Sequence, residues 1–105
     1  MSEFVKLALQ SEMPAEGEAK EFLLGWNAIC VARLNGELCA VNNECIHQGG
    51  PLADGVIEAG KIVCPWHGWE FDLKSGQATY PSSAKAKVYP LKVEGEDVLI
   101  QMDAF

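Results

Sequence analysis

Apolar and polar residues alternate along most of this chain, in short runs separated by turn-forming residues. Runs such as FVKLAL (residues 4–9) and VLIQM (residues 98–102) have a period of about two, which indicates strands with one buried face. The other apolar runs that read as strands are KEFLL, NAICVARL, ELCAV, GVIEAGKIVC, WEFDL and AKVYPLKV. Because no segment sustains a helical period, the pattern predicts an all-β protein with an antiparallel β-sandwich or barrel framework.

The pair Asn35-Gly36 lies between two of these runs and predicts a two-residue hairpin turn, since both residue types tolerate positive φ. That turn would place Cys30 opposite Val41 and Ala32 opposite Cys39. The two cysteines would then share a face diagonally, about 7–8 Å apart, which exceeds the usual reach of a disulfide. We therefore expect both to be buried free thiols that act as small hydrophobic side chains.

Length and charge narrow the class of protein. A chain of 105 residues predicts a single domain, 1–105, and its glycine-, proline-, cysteine- and histidine-rich middle, about 43–83, predicts a small loop-rich subdomain. A net charge of −7 disfavours nucleic acid and favours a protein partner with a basic docking face. No apolar run is long enough for a membrane span, and the first residues do not resemble a signal peptide, so we expect a cytoplasmic protein.

Two short motifs contain both histidines of the chain, each within three residues of a cysteine: Cys45-x-His47, then sixteen residues, then Cys64-x-x-His67. Glycine and proline around them suit loops that close on a metal. A tetrahedral zinc site with these four ligands is one interpretation, although zinc sites usually separate the cysteine pair from the histidine pair. The second interpretation is a [2Fe–2S] cluster, in which two cysteines bind one iron and two histidines bind the other. Loops that each contain one cysteine and one histidine suit this cluster better.

The segments CIHQGGPL and CPWHGWEFDLKSGQA resemble the two signature boxes of Rieske iron–sulfur domains, and the resemblance covers most of the chain. It implies the Rieske fold and one [2Fe–2S] cluster per chain. It implies further that Cys45 and Cys64 bind the inner iron and that His47 and His67 bind the outer iron, near the tip of the domain. Pro81 resembles, more weakly, the proline of a third loop that covers the cluster.

Four positions separate this chain from the Rieske proteins of respiratory complexes. Gly50 and Trp66 occupy the positions at which those proteins have two further cysteines, one in each box, that form a disulfide. Trp69 and Phe71 occupy the positions at which those proteins have a serine and a tyrosine that donate hydrogen bonds to the cluster. Fewer hydrogen bonds and an acidic chain both oppose the addition of an electron. The resemblance therefore implies a potential toward the bottom of the Rieske range of about −150 to +300 mV, as in the soluble ferredoxins of bacterial ring-hydroxylating oxygenases.

The function implied is that of an electron carrier and not of an enzyme. No histidine remains for a mononuclear iron, and no G-x-G-x-x-G motif indicates a nucleotide site. The expected partners are an NAD(P)H-dependent flavin reductase and a terminal oxygenase, and the expected state is a monomer. The small Rieske-like subunit of assimilatory nitrite reductase and a zinc-stabilised interaction module are the alternatives. Members of the nitrite reductase group often lack the ligand residues. This chain keeps all four, which favours the ferredoxin.

Overall fold

A computed structural model describes residues 4–44, 50–66, 68–79 and 84–102. Within these ranges the chain forms ten strands and two short 3₁₀ turns, the latter at Gln10–Glu12 and Leu52–Asp54. The strands are β1 (Phe4–Leu9), β2 (Ala19–Leu24), β3 (Asn27–Leu34), β4 (Glu37–Asn42), β5 (Val56–Glu58), β6 (Lys61–Val63), β7 (Glu70–Asp72), β8 (Val88–Tyr89), β9 (Leu91–Glu94) and β10 (Asp97–Gln101). No helix in the described part of the chain is long and apolar enough to cross a membrane.

The strands form three antiparallel sheets, with the orders β1–β10–β9, β2–β3–β4–β8 and β5–β6–β7. The all-β prediction is therefore confirmed. The predicted hairpin is confirmed to the residue, since Leu34 pairs with Glu37 and Cys30 pairs with Val41. Asn35 and Gly36 both have positive φ, as such a turn requires.

The sheet β2–β3–β4–β8 is the middle layer, and its inner strands β3 and β4 have buried residues on both faces. Ile29 and Val31 of β3 pack on one side with Ile100 of β10. Cys30 and Ala32, which point the other way, pack on the second side in a core that contains residues of β6 and β7. This explains why NAICVARL is almost continuously apolar: a strand covered on both faces has no side that prefers water.

The run AKVYPLKV, expected to be one strand, is divided in two by Pro90. Val88 and Tyr89 pair with β4 of the middle sheet, whereas Leu91–Glu94 pair with β10 of the outer sheet. Proline has no N–H to donate to a ladder, so the chain can leave one sheet and enter the next at this residue. The expectation of a single strand was wrong.

Glycine is required at position 55 by close packing and not by backbone conformation. The φ of Gly55 is −84°, which any residue can adopt. A methyl group at this position would overlap the carbonyl oxygen of Val63, on the neighbouring strand of the small sheet. Gly95 offers a matched control, since its φ is +60° but the space around it is open.

We expect Gly55→Ala to lower the free energy of unfolding by about 3 kcal/mol, as overpacking does when backbone must move. Gly95→Ala should cost only about 1 kcal/mol, the strain of a left-handed alanine. Urea unfolding followed by circular dichroism measures both losses. Equal losses would contradict the close-packing explanation.

Candidate iron–sulfur site

Residues at the ends of three connecting loops, among them Leu52, Cys64 and Ala84, pack in the core between the middle sheet and the small sheet. The first loop runs from Asn43 to Pro51, between β4 and the second 3₁₀ turn, and the second runs from Cys64 to Trp69, between β6 and β7. The third leads from Thr79 to Ala84. The motif residues of the sequence all lie in the first two loops. The structure describes the ends of each loop, and these ends show how the loops are held.

The first loop is closed at its base. The Leu52 N–H donates to the Asn43 carbonyl oxygen at 2.8 Å, and Glu44 forms an isolated antiparallel bridge with Pro51. Leu52 itself is fully buried in the core that also contains Cys64. Both ends of the segment 45–49 therefore start from fixed, hydrogen-bonded backbone.

The second loop is closed by Cys64 itself. Its N–H donates to the Trp69 carbonyl oxygen at 2.7 Å, and its own carbonyl oxygen accepts the Gly68 N–H at 3.0 Å. Cys64 is 3% exposed and packs among apolar side chains. This predicted ligand thus lies at a rigid loop base, directly after β6.

The third loop is tied to the same sheet. Thr79 donates its N–H to the Glu70 carbonyl oxygen at 2.9 Å and its hydroxyl to the Glu70 carboxylate at 3.2 Å. At its other end, the Ala84 carbonyl oxygen accepts the Ala78 N–H at 3.0 Å. The turn before it is fixed by Asp72, whose carboxylate accepts N–H groups of Ser75 and Lys74. These hydrogen bonds hold the pKa of Asp72 below its usual value, and the bond from the Ser75 N–H has the largest effect.

The first two loops touch each other at Gly50. A methyl group on Gly50 would lie 2.9 Å from the Cys64 sulfur and 3.0 Å from the Trp66 ring. The Trp66 side chain is nevertheless 56% exposed, so its indole joins the two loops and also faces solvent. Gly50 and Trp66 are the two positions that lack the cysteines of the respiratory-complex branch, and here they meet in a non-covalent contact.

Three of the four predicted ligands, Cys45, His47 and His67, lie outside the described residues. So do Gln48, Gly49 and Pro81, which we predict to form, with Trp66, an apolar rim around the two histidines. Within the described ranges, no group of three or more histidine, cysteine or acidic side chains is arranged to hold a metal ion. The assignment of all four ligands therefore stays a prediction. Of the four, Cys64 is described, and it is buried directly after β6.

The described part of the site fits an iron–sulfur cluster. A cysteine sulfur is a ligand that iron–sulfur clusters use, and Cys64 provides one at the base of a loop within an apolar core. Gly50 lets the backbone of the first loop approach that sulfur, where any side chain would collide. Trp69 and Phe71, expected to offer no hydroxyl to the cluster, form a tilted aromatic pair with centroids 6.3 Å apart, and Phe71 is fully buried.

The other two cysteines lie on strands, Cys30 on β3 and Cys39 on β4. Cys30 is fully buried in the middle sheet, whereas Cys39 is only partly buried, and both are free thiols. Burial, with a smaller contribution from the Glu21 carboxylate, raises the pKa of Cys30 to about 12, and burial also raises the pKa of Cys39. The prediction of free thiols is confirmed, but full burial holds only for Cys30.

A family model described as Rieske [2Fe-2S] domain matches residues 3–90, so the chain belongs to this family. The predicted family, fold and [2Fe–2S] cofactor are thereby confirmed. Over 86 residues the chain is 35% identical to mouse (Mus musculus) apoptosis-inducing factor 3, a match that covers 81% of this chain and 14% of that protein. The chain thus spans about 14% of the length of this relative.

Other relatives are close to this chain in length. The ferredoxin component of the naphthalene 1,2-dioxygenase system of Pseudomonas aeruginosa is 33% identical over 92 residues, which cover 87% of this chain and 88% of that one. The structure of the Sphingomonas yanoikuyae B1 ferredoxin has a TM-score of 0.84 and 28% identity, and covers 95% of this chain and 99% of that one. A candidate NADH-dependent nitrite reductase small subunit from Mycobacterium tuberculosis reaches a TM-score of 0.85 over 100% of this chain and 99% of that one, but its 18% identity shows the fold alone.

We expect neither Cys30 nor Cys39 to be needed for the cofactor. Native protein treated with iodoacetamide at pH 8 should be modified faster at Cys39 than at Cys30, because a raised pKa and full burial keep the Cys30 thiol neutral and inaccessible. Mass spectrometry of the peptides measures the two rates. Cys39→Ala should keep the full visible absorbance per chain, and loss of that absorbance would contradict the assignment.

Proposed function

We propose that this protein is a one-electron carrier that receives electrons from an NAD(P)H-dependent flavin reductase and passes them to a terminal oxygenase. The observation that carries the proposal is the match with a ferredoxin component of a dioxygenase system, which spans 88% of that relative. We propose that the carrier works as a monomer.

Cys45, His47, Cys64 and His67 are the ligands in this proposal. When bound, the cluster would supply one reversible electron, with the two cysteines as ligands of one iron and the two histidines as ligands of the other. Cys64 supports the assignment by its place at the closed base of the second loop. The tie between Asn43 and Leu52 supports it for the first loop, because it fixes the ends of the segment that contains Cys45 and His47.

The role of the remaining residues is to present this site to a partner. Trp66 is half-exposed beside Gly50 and Cys64, so its ring offers apolar surface at the loops that contain the ligands. A net charge of −7 favours a partner with a basic docking face. Such complementary charges accelerate the encounter of the two proteins more than they strengthen the complex. Both features suit the small, short-lived interfaces of redox partners.

We propose a cytoplasmic location for the carrier. Cys30, Cys39 and Cys64 are unpaired thiols in the described residues, as is usual in a reducing compartment.

Purified protein should be red-brown, contain acid-labile sulfide and give, once reduced, a paramagnetic signal with an average g below 2. Serine at Cys45 or Cys64, or alanine at His47 or His67, should abolish these properties, because each removes one ligand of an iron. A colourless protein with bound zinc would support the interaction module instead. If no NADH-dependent flavin reductase reduced the protein with its cluster bound, and a nitrite reductase did, the ferredoxin assignment would be contradicted.

Trp66→Ala should slow electron transfer to the oxygenase about tenfold, because aromatic side chains dominate small interfaces, while the visible spectrum stays unchanged. Trp26→Ala is the matched control, since Trp26 is fully exposed in the turn between β2 and β3. Stopped-flow oxidation of the reduced carrier by its oxygenase gives both rates. An unchanged rate for the Trp66 variant would refute the rim role.

A further inference from the structure

Asn43 is the one polar residue that is buried among those the structure describes, at 3% exposure. It follows β4 directly and stands two residues before Cys45 in the chain. Burying an amide is unfavourable unless its donors and acceptors find partners, so a buried asparagine at the start of a ligand loop calls for a physical reason.

All the bonding groups of Asn43 that the structure records are paired, and their partners lie on three different elements. Its N–H donates to the Ala28 carbonyl oxygen on β3 at 2.9 Å. Its side-chain oxygen accepts the Ala53 N–H at 2.7 Å, and its carbonyl oxygen accepts the Leu52 N–H at 2.8 Å. Its side-chain N–H₂ donates to the Glu21 carboxylate on β2 at 2.9 Å.

These bonds connect the two ends of the first loop through a single residue. Leu52 and Ala53 follow the loop, and Asn43 precedes it, so backbone and side chain of Asn43 together close the ring around the segment 44–51. Glu21 sets the orientation of the amide, because a carboxylate accepts only, and the side-chain oxygen is thereby directed toward the Ala53 N–H. The side chain of adjacent Asn42 accepts the Glu44 N–H and donates to the Tyr89 hydroxyl at 3.5 Å, and neither of these bonds spans the loop.

We propose that Asn43, oriented by Glu21, is a positioning residue that holds the first loop in the conformation that retains the iron–sulfur cluster. The proposal rests on the proposed function, in that Cys45 and His47 of this loop are taken as ligands. It predicts that the pattern of donors and acceptors at positions 43 and 21 controls cluster retention, independently of the overall stability of the sheets.

The test exchanges donor and acceptor between the two positions. Asn43→Asp alone places a carboxylate against the Glu21 carboxylate and removes the donor, whereas Asn43→Asp combined with Glu21→Gln restores one donor and one acceptor and returns the net charge to that of the wild type. Glu21→Gln alone keeps an acceptor for the Asn43 amide. The matched stability control is Val31→Ala, which opens the core on the opposite face of the middle sheet.

Three measurements are made on each purified protein. The first is the rate at which visible absorbance is lost to an iron chelator without denaturant. The second is deuterium exchange, by mass spectrometry, of the segment 50–55, which contains the Leu52 and Ala53 amides. Urea midpoints by circular dichroism report the stability of the sheets.

We expect the Asn43→Asp variant to lose its cluster about tenfold faster than the wild type. An unpaired buried polar group destabilises the closed loop enough to raise the population of the open loop about tenfold. Exchange of the segment 50–55 should accelerate similarly, and the double variant should return both rates to within about threefold of the wild type. Glu21→Gln should stay near the wild type in both. Val31→Ala should lower the urea midpoint more than Asn43→Asp does, yet change cluster loss less.

Exchange at 50–55 that is equal in the wild type and Asn43→Asp would overturn the proposal, as would a double variant that fails to recover. Cluster loss that follows the urea midpoint across all variants would also overturn it, in favour of a purely structural role. A wild type that holds no cluster would refute the proposed function instead. The exchange measurement still decides the role of Asn43 in that event, because it does not depend on the cofactor.

Discussion

The constraint on which the rest of the structure depends is that the inner strands β3 and β4 of the middle sheet are buried on both faces. Its strand β3 contributes Ile29 and Val31 to one core and Cys30 and Ala32 to the other, and all four are fully buried. The outer sheet β1–β10–β9 covers one face, and the small sheet with the loop bases covers the second. The loops therefore start from backbone that cannot shift without opening a core.

The loops are held at their ends by hydrogen bonds instead of covalent links. Asn43 ties the first loop, Cys64 ties the second, and the bonds of Thr79 and Ala78 tie the third. Gly50 and Trp66 then bring the first two loops into contact at the positions where another branch of the family has a disulfide. Such a site keeps its geometry through the packing beneath it, which is consistent with Leu52 and Cys64 sharing one core.

The same arrangement separates retention of the cofactor from recognition of partners. Groups that hold the loops, such as Asn43 and Cys64, are buried, whereas the half-exposed Trp66 and the acidic surface face the solvent. This division suits the proposed carrier, which meets two partners in turn, because a short-lived interface can form and dissociate without disturbing buried hydrogen bonds.

Much of this protein was determined by the sequence alone. Period-two apolar runs, the Asn35-Gly36 turn and the mixed cysteine–histidine motifs are local signals, so they predicted the all-β fold, the hairpin register and the kind of cofactor. The division of AKVYPLKV at Pro90 and the partial exposure of Cys39 depended on which sheet or core lies alongside, and the pattern of one segment does not contain that information. The role of Asn43 was likewise decided only by tertiary structure, because its partners Glu21, Ala28 and Ala53 are distant in sequence and meet it only when the sheets pack.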